Sequence, residues 1–200
     1  MLLLGLAAYA QQGQPFSHRL HLKLKPDCRS CHVAAATSTQ LRDNLLPEKQ
    51  VCSGCHATVV IRAPARTNLA RFNHALHLKL GNLAPVIAAA VKSKAYLSDP
   101  GGILAHLDTK NACSACHRGL DQSDAVTKAA FPRMADCLVC HNKIDPPFSC
   151  EKCHAAGTDL RPPSHHVRGF MDLHNSGKAN LDKASCAVCH GRTFTCLGCH

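Results

Sequence analysis

Cys186-Ala-Val-Cys189-His190-Gly-Arg-Thr-Phe-Thr-Cys196-Leu-Gly-Cys199-His200 holds two copies of Cys-x-x-Cys-His separated by five residues. Five more copies lie upstream, at Cys28/Cys31/His32, Cys52/Cys55/His56, Cys113/Cys116/His117, Cys137/Cys140/His141 and Cys150/Cys153/His154. Together the seven use all fourteen cysteines, so none is left for a disulfide. A single Cys-x-x-Cys can be a redox dithiol or half of a zinc site. Neither use requires a His directly after the second cysteine, and here that His follows every time. The pattern is the attachment signature of a c-type haem: two thioethers to the porphyrin, and the adjoining His on the iron.

The composition agrees. Of 200 residues only eight are aromatic, none of them Trp, and the 46% hydrophobic content includes the cysteines. With ten residues set aside at the start, seven haems leave about 27 residues per cofactor, too few to enclose each in its own domain. The expected architecture is therefore mostly irregular chain with short α-helices, wrapped around a packed haem core, with little or no β-sheet. The formal charge of +10 does not point to nucleic acid. Haem propionates bring it to about +3 oxidised and about −4 reduced, and no basic run is interleaved with aromatics.

Residues 1–10 form an apolar run closing on Ala8-Tyr9-Ala10, which reads as the remnant of a secretory signal cleaved after Ala10, without the usual positive start. Export to the periplasm or beyond is the expectation. No stretch is long enough for a membrane helix; the best, Leu83 to Val91, is interrupted by Pro85.

Phe16-Ser-His18-Arg-Leu-His21 recurs as Phe72-Asn-His74-Ala-Leu-His77, an offset of 56. The haem motifs at Cys28 and Cys52 recur at Cys113 and Cys137, an offset of 85. The difference implies a duplication whose second copy, residues 72–145 against 16–62, carries 29 extra residues. That insertion predicts a helix from Pro85 to Leu97, stopped by Ser98-Asp99-Pro100-Gly101-Gly102. Proline-containing joints at 63–65 and 161–164 suggest three segments. Residues 11–62 would carry two haems, 63–160 three, and 161–200 two, in one continuous haem-cored unit.

Six-coordinate iron needs a second axial ligand. Seven histidines belong to motifs and eight remain: His18, His21, His74, His77, His106, His165, His166 and His174. Taken singly, each would be read as an ordinary surface or core His; together they nearly match the need. His18/His21 and His74/His77 are i,i+3 pairs, so one helical turn projects both from one face, toward two adjacent irons. His106 lies seven residues before Cys113, as His21 does before Cys28. On a helix His166 lies about 80° from His174 and His165 about 180°, which makes His165 the spare; the reverse assignment stays open. Met134 and Met171, each near a motif, are weaker ligand candidates.

Phe-x-His-x-x-His followed by Cys-x-x-Cys-His resembles the class III multihaem cytochromes c, small periplasmic tetrahaem and trihaem electron carriers. The resemblance implies that His18 serves the Cys28/Cys31 haem and His21 a later one. Seven motifs exceed what those small carriers hold.

Bis-His ligation leaves no iron position for substrate, so the primary expectation is relay of single electrons to redox partner proteins. One alternative is a reductase with a five-coordinate haem, although no motif departs from the pattern. Another is a protomer of an extracellular cytochrome filament, in which the haem at His200 meets a second copy. Intact mass spectrometry tests the count: the purified protein should carry seven covalent haems, and fewer would refute it.

Overall fold

The computed structural model describes residues 15–25, 27–58, 60–61, 67–141, 150–160 and 168–176. The apolar N-terminal run, both proline joints, His165, His166 and the two closing motifs lie outside them. The described chain is mostly irregular, with short helices joined by 3₁₀ turns and no sheet. An isolated antiparallel bridge joins Leu69 and His154. Six α-helices occur: α1 (His18–Leu24), α2 (Lys49–Ser53), α3 (His74–Lys79), α4 (Ala84–Lys92), α5 (Met134–His141) and α6 (Phe170–Asn175).

Helices α1 and α3 start at equivalent caps. The Ser17 hydroxyl accepts the Leu20 N–H at 3.2 Å, and the Asn73 side-chain oxygen accepts the Leu76 N–H at 2.8 Å. Helix α4 begins as expected at Ala84-Pro85 but stops at Lys92, five residues short of the anticipated end. Lys94 takes a left-handed conformation (φ 58°), and the N–H groups of Ala95 and Tyr96 both return to the Ala90 carbonyl. This turn swings Tyr96 inward, where its burial outweighs continuation of the helix.

The apolar core belongs largely to the insertion. Ala84, Ile87, Tyr96, Ile103 and Leu107 pack with Ala115 and Ala135, beside Cys116 and Val139 of two haem motifs. By contrast, no described apolar side chain of the first copy is buried; Leu20, Leu24, Val33 and Leu46 are half-exposed or more.

The two copies clasp each other reciprocally. Arg19 N–H donates to the Ser123 carbonyl at 3.0 Å, and Ala75 N–H to the Ser38 carbonyl at 2.9 Å. Arg19 and Ala75 are counterparts at the offset of 56, and Ser38 and Ser123 at that of 85. Each copy's His-bearing helix therefore docks on the loop after the other copy's first motif. The first clasp adds Arg19 and Ser17 on the Asp124 carboxylate, an exposed cluster of little energetic weight.

Candidate haem-binding site

Each described motif closes one helical turn. The motif His N–H returns to the carbonyl of the first cysteine at 2.9 Å for His32, His56 and His117, and at 2.8 Å for His154; the fourth motif ends α5. Cysteines at i and i+3 then share a face, with the His at i+4 beside them. That is the arrangement needed to hold a porphyrin edge by two sulfurs while an imidazole reaches its centre.

Opposite three motif histidines stand distal candidates. Ring centroids of His18 and His32 are 6.2 Å apart, of His21 and His56 6.1 Å, and of His77 and His141 6.2 Å. An iron about 2 Å from each facing nitrogen, with each nitrogen about 1.1 Å from its ring centre, needs about 6.2 Å. The spacing fits one iron between two imidazoles. His74 completes the repeat near His117, close enough for electrostatic interaction.

The rings are oriented by backbone. His21 Nδ1 meets the Ser17 carbonyl at 2.8 Å, and His77 Nδ1 meets the Asn73 carbonyl at 2.8 Å. His32 Nδ1 meets the Leu45 carbonyl at 2.7 Å, and its counterpart His117 meets the Ala130 carbonyl at 3.0 Å, thirteen residues on in both copies. His154 Nδ1 meets the Asn68 carbonyl at 2.9 Å. A carbonyl on Nδ1 fixes the tautomer that presents a bare Nε2, the usual support of a ligating imidazole. The Nδ1 atoms of His18 and His74 are buried without a partner. Burial, with help from neighbouring histidines, pushes both imidazoles down to about 4, so they stay neutral as a ligand must.

Phe16 and Phe72 do a job that the sequence pattern alone did not disclose. Each stacks on the second His of its pair, at 4.3 and 4.4 Å, and meets the first edge-on, at 4.8 and 4.6 Å. One ring thereby holds two imidazoles. The recurring Phe was the available signal.

Adjacent motifs also touch. The Cys28 and Cys113 thiols, equivalent in the two copies, lie within hydrogen-bonding reach of each other, and Asn111 donates its amide to Cys28 Sγ at 3.3 Å. Cys137 lies within electrostatic range of both Cys116 and Cys153. Among the described residues no three His, Cys, Asp or Glu side chains converge as a zinc cage requires.

The attachment cysteines are not equally exposed. Cys31 is half-buried, as are Cys28, Cys113 and Cys137, whereas Cys55, Cys140 and Cys150 are exposed. The backbone places Cys31 and Cys55 correctly, their N–H groups returning to the carbonyls of Cys28 and Cys52 at 3.2 and 3.1 Å. Cys140 sits in the last turn of α5. Where a contact between motifs is seen, it involves the first cysteine of a motif: Cys28 with Cys113, and Cys137 near Cys116 and Cys153. The physical reason lies in the motif itself: in a single turn the two cysteines are three residues apart, so a neighbour that meets the first need not reach the second. Local spacing made all of these cysteines equivalent; packing between motifs does not. The closing cysteines Cys186, Cys189, Cys196 and Cys199 lie outside the described residues.

His106 sits apart. It is exposed at the end of the 3₁₀ turn Ile103–His106, on the wall of a cavity shared with Arg118 and Arg133, and among the described residues no motif His ring faces it. His174 lies in α6, its side chain outside the described part, as is that of Met171. Met134 opens α5.

A family model described as outer membrane cytochrome MtrC/MtrF-like, domains II/IV, matches residues 24–200. The chain belongs to this family. The MtrC/MtrF-like cytochromes are multihaem electron-transfer proteins, and covalent haem c is the cofactor that the family implies. The match is to these domains and not to the small class III carriers that the Phe-x-His-x-x-His framework resembles. Neither a curated protein nor a solved structure matches the chain.

Asn73→Ala separates the helix cap from the ligand anchor. It removes the acceptor of Leu76 N–H but keeps the Asn73 carbonyl on His77. Thermal unfolding should report a loss of about 1 kcal/mol, with the haem absorption spectrum unchanged.

Proposed function

We propose that this MtrC/MtrF-like chain carries seven covalent haem c groups, mainly bis-His, and relays single electrons along them. The observation that carries the reading is the facing of His18/His32, His21/His56 and His77/His141 at one iron's width. His74 with His117 extends the set by counterpart position, and His106, His166 and His174 remain proposed distal ligands for the other haems. Cys31, Cys55 and Cys140 remain proposed attachment sulfurs on the strength of their motifs, and their accessibility leaves room for a thioether. Bound haem supplies the one-electron couple; the chain supplies axial ligands, spacing and burial.

The contacts between motifs support an order in space. His18 and His21 share α1, which sets the Cys52/Cys55 haem beside the Cys28/Cys31 haem. The Cys28–Cys113 contact leads to the second copy. His74 and His77 share α3, which joins the Cys113/Cys116 haem to the Cys137/Cys140 haem, and Cys153 adjoins Cys137. The path would run through motifs two, one, three, four and five. Fully supplied ligands leave no substrate position, which favours relay over reductase chemistry.

The three-segment division at 63 and 161 is retained in this reading, with the first two segments interlocked by their clasps. The exposed leucines and valine of the first copy are surfaces for porphyrin to cover. The name of the family, outer membrane cytochrome, supports work outside the cytoplasm, in the periplasm or beyond, with redox partner proteins. Among the described residues no helix is long and apolar enough to cross a membrane.

His21→Met tests the ligand assignment. The Cys52/Cys55 haem should become His/Met-ligated, with a higher potential and a methionine–iron charge-transfer band. An unchanged potential and spectrum would remove His21 from the ligand set.

A further inference from the structure

The two copies differ in charge at a pair of equivalent framework positions. In the first copy, Val33 follows His32 and Val51 precedes Cys52; in the second, Arg118 follows His117 and Asp136 precedes Cys137. Val33 is 65% exposed, whereas Arg118 and Asp136 are 9% and 7% exposed. The second copy's pair is an ion pair of 2.5 Å, the buried one among the described residues.

Its carboxylate is fully subscribed. Asp136 Oδ2 accepts from the Arg118 guanidinium and from Arg133 N–H at 2.7 Å, and Oδ1 accepts the Tyr96 hydroxyl at 2.9 Å. A second Arg118 nitrogen donates to the Ala115 carbonyl at 2.8 Å, inside the third motif. Gly119, at φ +72°, turns the chain immediately afterwards. Tyr96 comes from the insertion, which roofs the network with Ile87, Ile103 and Leu107.

Stability does not explain such a pair. Burying two charges costs about what their attraction returns, and apolar substitutes of similar volume are often neutral or better. The first copy builds the same two-motif framework with valines. What the network does possess is direction: its cation is tied to the Ala115 carbonyl and acts on His117 of the third motif, whereas its anion adjoins Cys137 of the fourth and reaches Cys116 as well.

We propose that Arg118, Asp136 and Tyr96 form a redox-tuning device that separates the potentials of the third and fourth haems. The cation favours the reduced form of the Cys113/Cys116 haem and raises its potential. The anion favours the oxidised form of the Cys137/Cys140 haem and lowers its potential. The insertion keeps water from screening either charge. The first copy, with neither charge nor roof, lacks this separation. The inference rests on the proposed haem relay.

The test transplants the first copy's residues, as R118V/D136V with Y96F so that no phenol is stranded. Wild-type protein is first checked for seven low-spin haems, whose absence would defeat the relay reading itself, before any variant is made. A redox titration followed by haem-methyl NMR then resolves individual haems. The potentials of the third and fourth haems should move toward each other while the others hold. If those two stay put, or all seven shift together, the network is only a structural clamp and the proposal fails. Should the triple variant not load haem, Tyr96→Phe alone strips one donor from the carboxylate and should lower the Cys137/Cys140 haem further. No movement there would equally overturn the proposal.

Discussion

The structure depends on the facing of helix-borne histidines against motif histidines across one iron's width. Three elementary facts produce it. A Cys-x-x-Cys-His turn puts two sulfurs and an imidazole on one face. A carbonyl on Nδ1, four residues back in α1 and α3 and thirteen residues on after His32 and His117, turns Nε2 toward the gap. A phenylalanine wedged against both members of each His pair fixes the two rings relative to one another.

This constraint explains why so little else is conventional. The first copy buries no described apolar side chain; the other copy's loop covers it on the clasp side, and the proposed porphyrins would cover it on the other. The second copy was given a core by insertion. Residues from Ala84 to Leu107 form a small apolar roof over the interior of its motifs, and beneath it a buried ion pair sits between the two attachment segments. Duplication thus supplied two similar pairs of motifs, and insertion made them unequal.

Much of this was legible in the sequence because haem attachment is written in local spacings. The motifs, the i,i+3 His pairs on helices and the irregular, short-helical fold follow from patterns within ten residues, and the duplication from the recurrence of those patterns. What lay hidden is long-range. The docking of Arg19 on Ser123 spans both copies and leaves no periodic trace. The early end of α4 is decided by Tyr96 reaching Asp136, forty residues away. Identical motifs gave no hint that Cys28 would meet Cys113 while Cys55 and Cys140 stay exposed. His106 shares the seven-residue spacing of His21, yet it stands at the end of a 3₁₀ turn beside a cavity. Spacing to a motif positions a ligand only when the helix that carries it is docked as well. Valine-to-arginine and valine-to-aspartate changes between the copies were visible in the repeat alignment; their pairing was not.

An experimental structure of the haem-loaded protein measures the axial geometry directly. The account predicts an iron about 2 Å from Nε2 of both partners in each of His18/His32, His21/His56 and His77/His141. An iron in any of these positions with a different sixth ligand, or with none, would contradict it.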